Sequence, residues 1–143
     1  MRPLPALIAL SFAQISTGLM REVRAAGYKD LRLHHFMNVF RFMSGQGDRP
    51  AELARQAGVT PQAMSAVLGE LEGLGYIRRE PDPIDRRSQV VQWADRGLQA
   101  GQIAEGYFAK LEAEWASIVG TERLELSRDV MRLVTHGAKQ EAR

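Results

Sequence analysis

The chain contains no cysteine among its 143 residues. That absence excludes a disulfide framework, thiolate zinc sites, a cysteine nucleophile and any thiol-based redox sensor. Lysine is scarce as well: three residues, against sixteen arginines. Phosphate loops, zinc-protease motifs and nucleophile elbows are missing, and no acid and base pair up into a pocket signature, so no enzyme class is indicated. The net charge is only +2, which neither announces nor excludes a polyanionic partner, because the placement of charge decides. What remains is an ordinary globular composition, 45% apolar and 25% charged, in a length that fits a single domain, residues 1–143.

Long hydrophobic runs are also lacking. Residues 3–20 carry no charge, but Ser11, Gln14, Ser16 and Thr17 interrupt them. Their apolar members, Leu4, Leu7, Ile8, Phe12, Ile15, Leu19 and Val23, keep the spacing of one helical face. The segment reads as an amphipathic helix over about residues 5–26, not as a signal peptide or membrane span, and the expected location is cytoplasmic, with no membrane partner. A second helix is expected over 31–44, apolar around most of its circumference and ended by Gly45 and Gly47. Asp48 is placed to cap a short helix that begins near Pro50 and stops at Gly58. Thr60 and Pro61 open a further helix that reaches about Leu74. The period then changes. Residues 76–80 and 89–93 read as two strands around a Pro- and Asp-rich tip, a β-hairpin. Helical spacing returns over 95–119, a helix about 35 Å long, and again from Thr121 to about His136. Gly97, Gly101 and Gly106 lie inside the long helix, where each costs about 1 kcal/mol relative to alanine; close packing at a dimer contact is the reading offered for them.

Residues 51–74 satisfy the demands of a helix-turn-helix: small Ala54 where the second helix crosses, Gly58 in the turn, Met64 to lock the pair. A β-ribbon directly after it makes a winged helix, whose second helix enters the major groove of double-stranded DNA while the ribbon reaches the backbone or minor groove. The recognition helix has no lysine or arginine, so base reading falls to Gln62, Ser65 and Thr60, with Pro61 beside them on the DNA-binding face. Glu70 and Glu72 are expected on its solvent side. Positive charge is instead concentrated in Arg78, Arg79, Arg86 and Arg87, with Asp85 placed to brace one of the arginines at the tip. His34, His35, Phe36, Arg41 and Tyr107 are candidates for an effector pocket. Adjacent histidines on a helix point about 100° apart, so they make a poor chelate, and no metal or cofactor is expected.

The stretches Leu71–Arg79, Pro83–Ser88 and Val91–Gly97 resemble the MarR family (multiple antibiotic resistance regulators), whose wing carries an Asp followed two residues later by Arg, here Asp85 and Arg87. The order of elements matches along nearly the whole chain. The resemblance implies a mainly α fold with a small β-hairpin: a winged helix-turn-helix over 48–93, flanked by dimerisation helices over 5–44 and 95–136. It further implies a homodimeric transcription regulator, a repressor, on a palindromic operator, and for many members release by a small, often aromatic, anion. The chain departs from the family pattern at Ala66, where a basic residue is common, and at Ala94, where threonine usually caps the long helix. The neutral recognition lobe leaves a second function open: a winged-helix dimer acting as a protein-interaction module with weak DNA binding.

Overall fold

The computed structural model describes residues 1–141, and side chains through Thr135. Six helices and one antiparallel hairpin follow in the order α1 (Leu4–Ala25), α2 (Leu33–Asn38), α3 (Pro50–Ala57), α4 (Pro61–Gly73), β1 (Ile77–Pro81), β2 (Gln89–Trp93), α5 (Asp95–Val119) and α6 (Thr121–Glu141). The chain divides into two compact units, Met1–Ala104 and Glu105–Arg143, with the boundary inside α5.

The first unit holds the core. Leu31, Leu53, Met64, Leu68, Leu71, Tyr76 and Val91 are fully buried there. The helix-turn-helix forms as its sequence demands: Ala54 and Met64 are buried at the crossing, and Gly58 ends α3 in the left-handed region (φ 66°). The Thr60 hydroxyl caps α4 by accepting from the Ala63 amide at 3.1 Å. In the hairpin, Ile77 pairs with Trp93 and Arg79 with Val91.

Two local expectations are corrected. The helix expected over 31–44 is a short α2 followed by a 3₁₀ turn over Phe40–Phe42. The backbone breaks at Val39 (φ −125°, ψ −67°), and Phe40 turns into an aromatic cluster. Its ring lies 5.1 Å from Phe36, edge-on, and 4.9 Å from Trp93. Asp48 does not cap α3. Its backbone pairs with Val91 in a bridge beside the hairpin (3.0 and 2.8 Å), and its carboxylate accepts from the Ser44 amide at 2.9 Å.

A polar knot fastens three segments of this unit. Arg96, in the first turn of α5, donates to both carboxylate oxygens of Asp30 (2.8 and 3.2 Å) and to the Leu74 carbonyl at the end of α4 (2.7 Å). Its guanidinium lies 4.3 Å over the Tyr76 ring, and the Tyr76 hydroxyl donates to Asp30. Burial works to raise the Asp30 pKa, but the bonds from Tyr76 and Arg96 outweigh it and hold the carboxyl below its ordinary range.

Gly97 sits beside this knot and is buried. A β-carbon there would collide with the Tyr76 carbonyl and the Trp93 ring, whereas Gly101 and Gly106 face open space. The close approach that Gly97 permits is therefore inside one chain, not at a dimer contact. The Gly97→Ala variant is expected to lose about 2–3 kcal/mol by overpacking, although alanine is the better helix former. Chemical denaturation at neutral pH checks this, and an unchanged midpoint would contradict it.

The second unit is helical. Arg128 of α6 holds Glu112 of α5 through two hydrogen bonds (3.0 and 3.1 Å). Ile118, Val119, Leu126, Val130, Leu133 and Val134 are exposed.

Candidate nucleic-acid interface

Helix α4 turns Thr60, Pro61, Gln62 and Ser65 outward, all exposed, while Met64, Leu68 and Leu71 hold the opposite face in the core. The acidic residues of α4 are engaged within the lobe. Glu72 stands 3.7 Å from Arg79 of β1. Glu70 faces the histidines of α2, at 3.6 Å from His34 and 3.3 Å from His35. Neither was expected to have a partner; the pairs join residues far apart in sequence, so no local spacing announces them.

The four arginines divide into two kinds. Arg78 is held by Glu80 (2.6 Å) and by the Trp93 carbonyl, and Arg79 is largely buried against Glu72. Arg86 and Arg87 lie on the wing tip, exposed, and their guanidinium groups make no ion pair or hydrogen bond among the described residues. Asp85 braces the tip differently from the expectation. Its carboxylate accepts from the Arg87 amide (3.1 Å) and the Ser88 hydroxyl (3.3 Å), so it fixes backbone and leaves both guanidinium groups free.

The residue that anchors the wing was missed. Asp82 is 3% exposed and accepts from the Ile84 amide (2.9 Å) and from Arg49 Nε and Nη2 (2.8 and 2.6 Å). The Ile84 amide, joined by Arg49, keeps its carboxyl below the ordinary range against the opposing effect of burial. Arg49 immediately precedes α3, so the pair ties the base of the wing to the helix-turn-helix. The available signal was an aspartate between two prolines, Pro81 and Pro83, a turn-forming arrangement.

His34, His35 and Glu70 are the described residues that could hold a cation, their ligand atoms lying within 4.8 Å of one another. The expectation that the two histidines diverge is overturned: their rings are 4.2 Å apart at 58°, both swung toward Glu70. The protonation pattern nevertheless disfavours metal. The Arg32 amide donates to His35 Nδ1 at 3.0 Å. The ring hydrogen of neutral His35 is then on Nε2, the atom facing Glu70, and no lone pair is on offer there. The cluster acts as a polar clamp between α2 and α4. His136 lies outside the residues whose side chains are described.

Comparison with known proteins agrees with this geometry. Residues 37–88 match the model of the MarR family. The chain is 32% identical over 104 residues to the HTH-type transcriptional repressor Rv2887 of Mycobacterium tuberculosis, covering 72% of this chain and 75% of that one. The chain belongs to the MarR family. Its fold is shared with Streptococcus pneumoniae FabT, solved in complex with DNA (TM-score 0.81, 14% identity, 96% of each chain). It is shared also with the repressor CouR bound to a 23-mer duplex (TM-score 0.71, 19% identity, 93% of this chain and 92% of that one).

The candidate effector residues that fall in the first unit of this MarR-family chain already have partners there. His35 and Phe36 are buried in the core, His34 faces Glu70, and Arg41 stacks on Phe42 at 4.5 Å. Tyr107 belongs to the second unit, beside Phe108. An open, mainly apolar groove of about 730 Å³ lies elsewhere, along α1, between Phe12, Met20, Leu33, Arg21 and Arg24.

The buried His35 ring sets a pH dependence. Burial keeps the His35 imidazole from charging, His34 and Arg32 oppose its charge further, and Glu70 does not compensate, so its pKa lies below the ordinary 6.5. As pH falls through about 6.5 the unfolded chain takes up this proton before the folded one does. Stability therefore declines from about pH 6.5 downward and levels off, for this group, below the lowered folded value. Glu70, held low chiefly by the His35 ring beside it, adds its own loss only below its ordinary 4.5. Urea midpoints at about pH 7.5 and about pH 5.5 should differ in the native chain. The difference should shrink in His35→Asn, which retains an acceptor for the Arg32 amide; equal slopes in both would refute the assignment.

Proposed function

We propose that this MarR-family transcriptional regulator acts as a homodimeric repressor on a palindromic operator, with α4 in the major groove and the wing tip in the adjacent minor groove. One observation carries the reading: the polar positions that the start of α4 turns outward, Gln62 and Ser65 with Thr60 at the N-cap, are neutral and exposed, while cationic groups without a partner among the described residues sit on the bonded tip at Arg86 and Arg87. Gln and Ser pair with base edges, and arginine suits a narrow minor groove, where the potential is most negative. The DNA complexes of FabT and CouR, which share this fold, support the same reading.

The homodimer is supported by apolar surface that is exposed among the described residues. The first half of the α1 stripe, Leu4, Leu7, Ile8 and Phe12, is exposed although its second half, Leu19 and Val23, is buried. By length and composition α1 would also cross a membrane; the family and the amphipathic stripe favour a partner helix as its cover. A two-fold dimer places two recognition helices one DNA turn apart, about 34 Å. An effector of the family's kind, a small aromatic anion, is matched by the α1 groove, where Phe12 and Met20 lie beside Arg21 and Arg24.

Mobility shift on the fragment upstream of the chain's own gene tests the proposal. Arg87→Ala and Arg86→Ala should each weaken binding about tenfold. The salt slope should correspond to fewer than about six phosphates, because the lobe offers few free cations. Binding that survives both substitutions unchanged would overturn the role given to the wing, and a fragment that is not shifted at all would instead support the protein-interaction reading.

A further inference from the structure

The wing tip carries an apolar side chain that the arginine reading leaves unused. Ile84 is 91% exposed, between Pro83 and Asp85. A large aliphatic group on a mobile loop would mean little, but this tip is bonded at every turn. The Ile84 amide is fixed to Asp82, itself buried and gripped by Arg49. The Asp82 amide donates to the Ser88 carbonyl, and the Ser88 amide to the Asp85 carbonyl, both at 2.9 Å. With the Asp85 carboxylate on the Arg87 amide, residues 82–88 form a closed loop. That loop presents Ile84 within two residues of Arg86 and three of Arg87.

We propose that Ile84 is a specificity-determining contact: it seats in the minor groove beside the arginines and makes the wing select A·T over G·C at the steps it covers. This rests on the DNA-binding reading above. The chemistry is steric and polar together. The floor of the groove over a G·C pair carries the guanine 2-amino group, which A·T pairs lack. A branched aliphatic group pressed on that floor meets the amino group and strips its water without offering an acceptor, and an unsatisfied buried donor is costly. Over A·T the floor is lower, and the two Ile84 branches lie against the sugar walls. Arginine attracted to a narrow groove senses its width; Ile84 senses its floor.

Inosine separates these effects from major-groove reading, because an I·C pair presents the minor groove of A·T and the major-groove pattern of G·C. The full-length wild-type protein first selects duplexes from a random library, and hydroxyl-radical protection locates the wing-covered steps. A·T pairs there are then replaced by I·C or by G·C. Wild type should bind the A·T and I·C duplexes within about twofold of each other and the G·C duplex about tenfold more weakly. The Ile84→Ser variant should bind all three within about twofold and Ile84→Val should restore the preference. Since the side chain is exposed, all three proteins should melt alike. Wild type that fails to distinguish I·C from G·C overturns the assignment. So does Ile84→Ser with the wild-type preference, which would give the selectivity to the arginines. If wild type selects no duplex at all, the DNA-binding reading fails and the assignment falls with it.

Discussion

The geometry of the lobe depends on where Arg96 puts its five donors. Three segments that share no local pairing meet at this guanidinium: the loop after α1 through Asp30, the end of α4 through the Leu74 carbonyl, and the start of α5. A helix terminus leaves its last carbonyls without partners, and here one of them is satisfied by a side chain of the following helix. The recognition helix is thereby fixed at its far end to the same point that orients α5. The pair is partly exposed, and such a pair contributes little net stability by charge alone. Its value is geometric, because a planar guanidinium stacked on Tyr76 tolerates only one arrangement of the three segments. Gly97, the next residue, shows how tight that arrangement is: the chain leaves no room even for a β-carbon.

A consistent disposition of acid follows. A helix meant to approach a polyanion carries two glutamates and no cation, which reads as a contradiction when charges are counted along the sequence. In three dimensions the contradiction disappears. Glu70 turns to the histidines of α2 and Glu72 to Arg79 of β1, at ion-pair distance though without a hydrogen bond, so both acids face cationic or polar groups of the lobe itself. The same economy governs the wing, where Asp82 and Asp85 hold backbone and Arg49 while Arg86 and Arg87 keep their charge unspent. Neutral totals therefore conceal a division of labour, with acids as internal braces and two arginines as the free cationic surface.

What could be read from the sequence was what has a local signature. Gly58, Thr60 with Pro61, and the change from helical to alternating period fixed α3, α4 and the hairpin to within a residue or two, because caps and turns are decided by neighbours. The wing motif Asp85–Arg87 gave the family. The exposed positions on α4 followed from helical phase once Met64 was placed in the core. What could not be read was long-range. The Asp82–Arg49 and Asp30–Arg96 pairs span 33 and 66 residues, and no periodicity marks such partners. The second helix was misread because its aromatic residues fit a helical stripe equally well whether or not the backbone breaks at Val39; only the Trp93 ring across the hairpin shows why it does. The surroundings of His34, His35, Phe36 and Arg41 were illegible for a related reason, since residues adjacent in sequence go to different environments.

The rigid tip has a consequence for how affinity and selectivity are shared. A flexible wing would gain phosphate contacts at the entropic cost of ordering long side chains and backbone together. Here the backbone is ordered in advance by Asp82, Asp85 and Ser88, so only the side chains of Ile84, Arg86 and Arg87 remain to be fixed on binding. Pre-organisation of this kind makes a small contact set sufficient, which suits a lobe with so few free cations. It also makes the contact unforgiving, because a loop that cannot adjust must meet a groove of the right width and floor. The scarcity of lysine fits the same logic: a flexible point charge adapts to any phosphate, whereas an arginine on a fixed mount discriminates. On the proposed reading, selectivity lies less in the neutral face of α4 than in the shape of seven residues held at the end of a two-stranded ribbon.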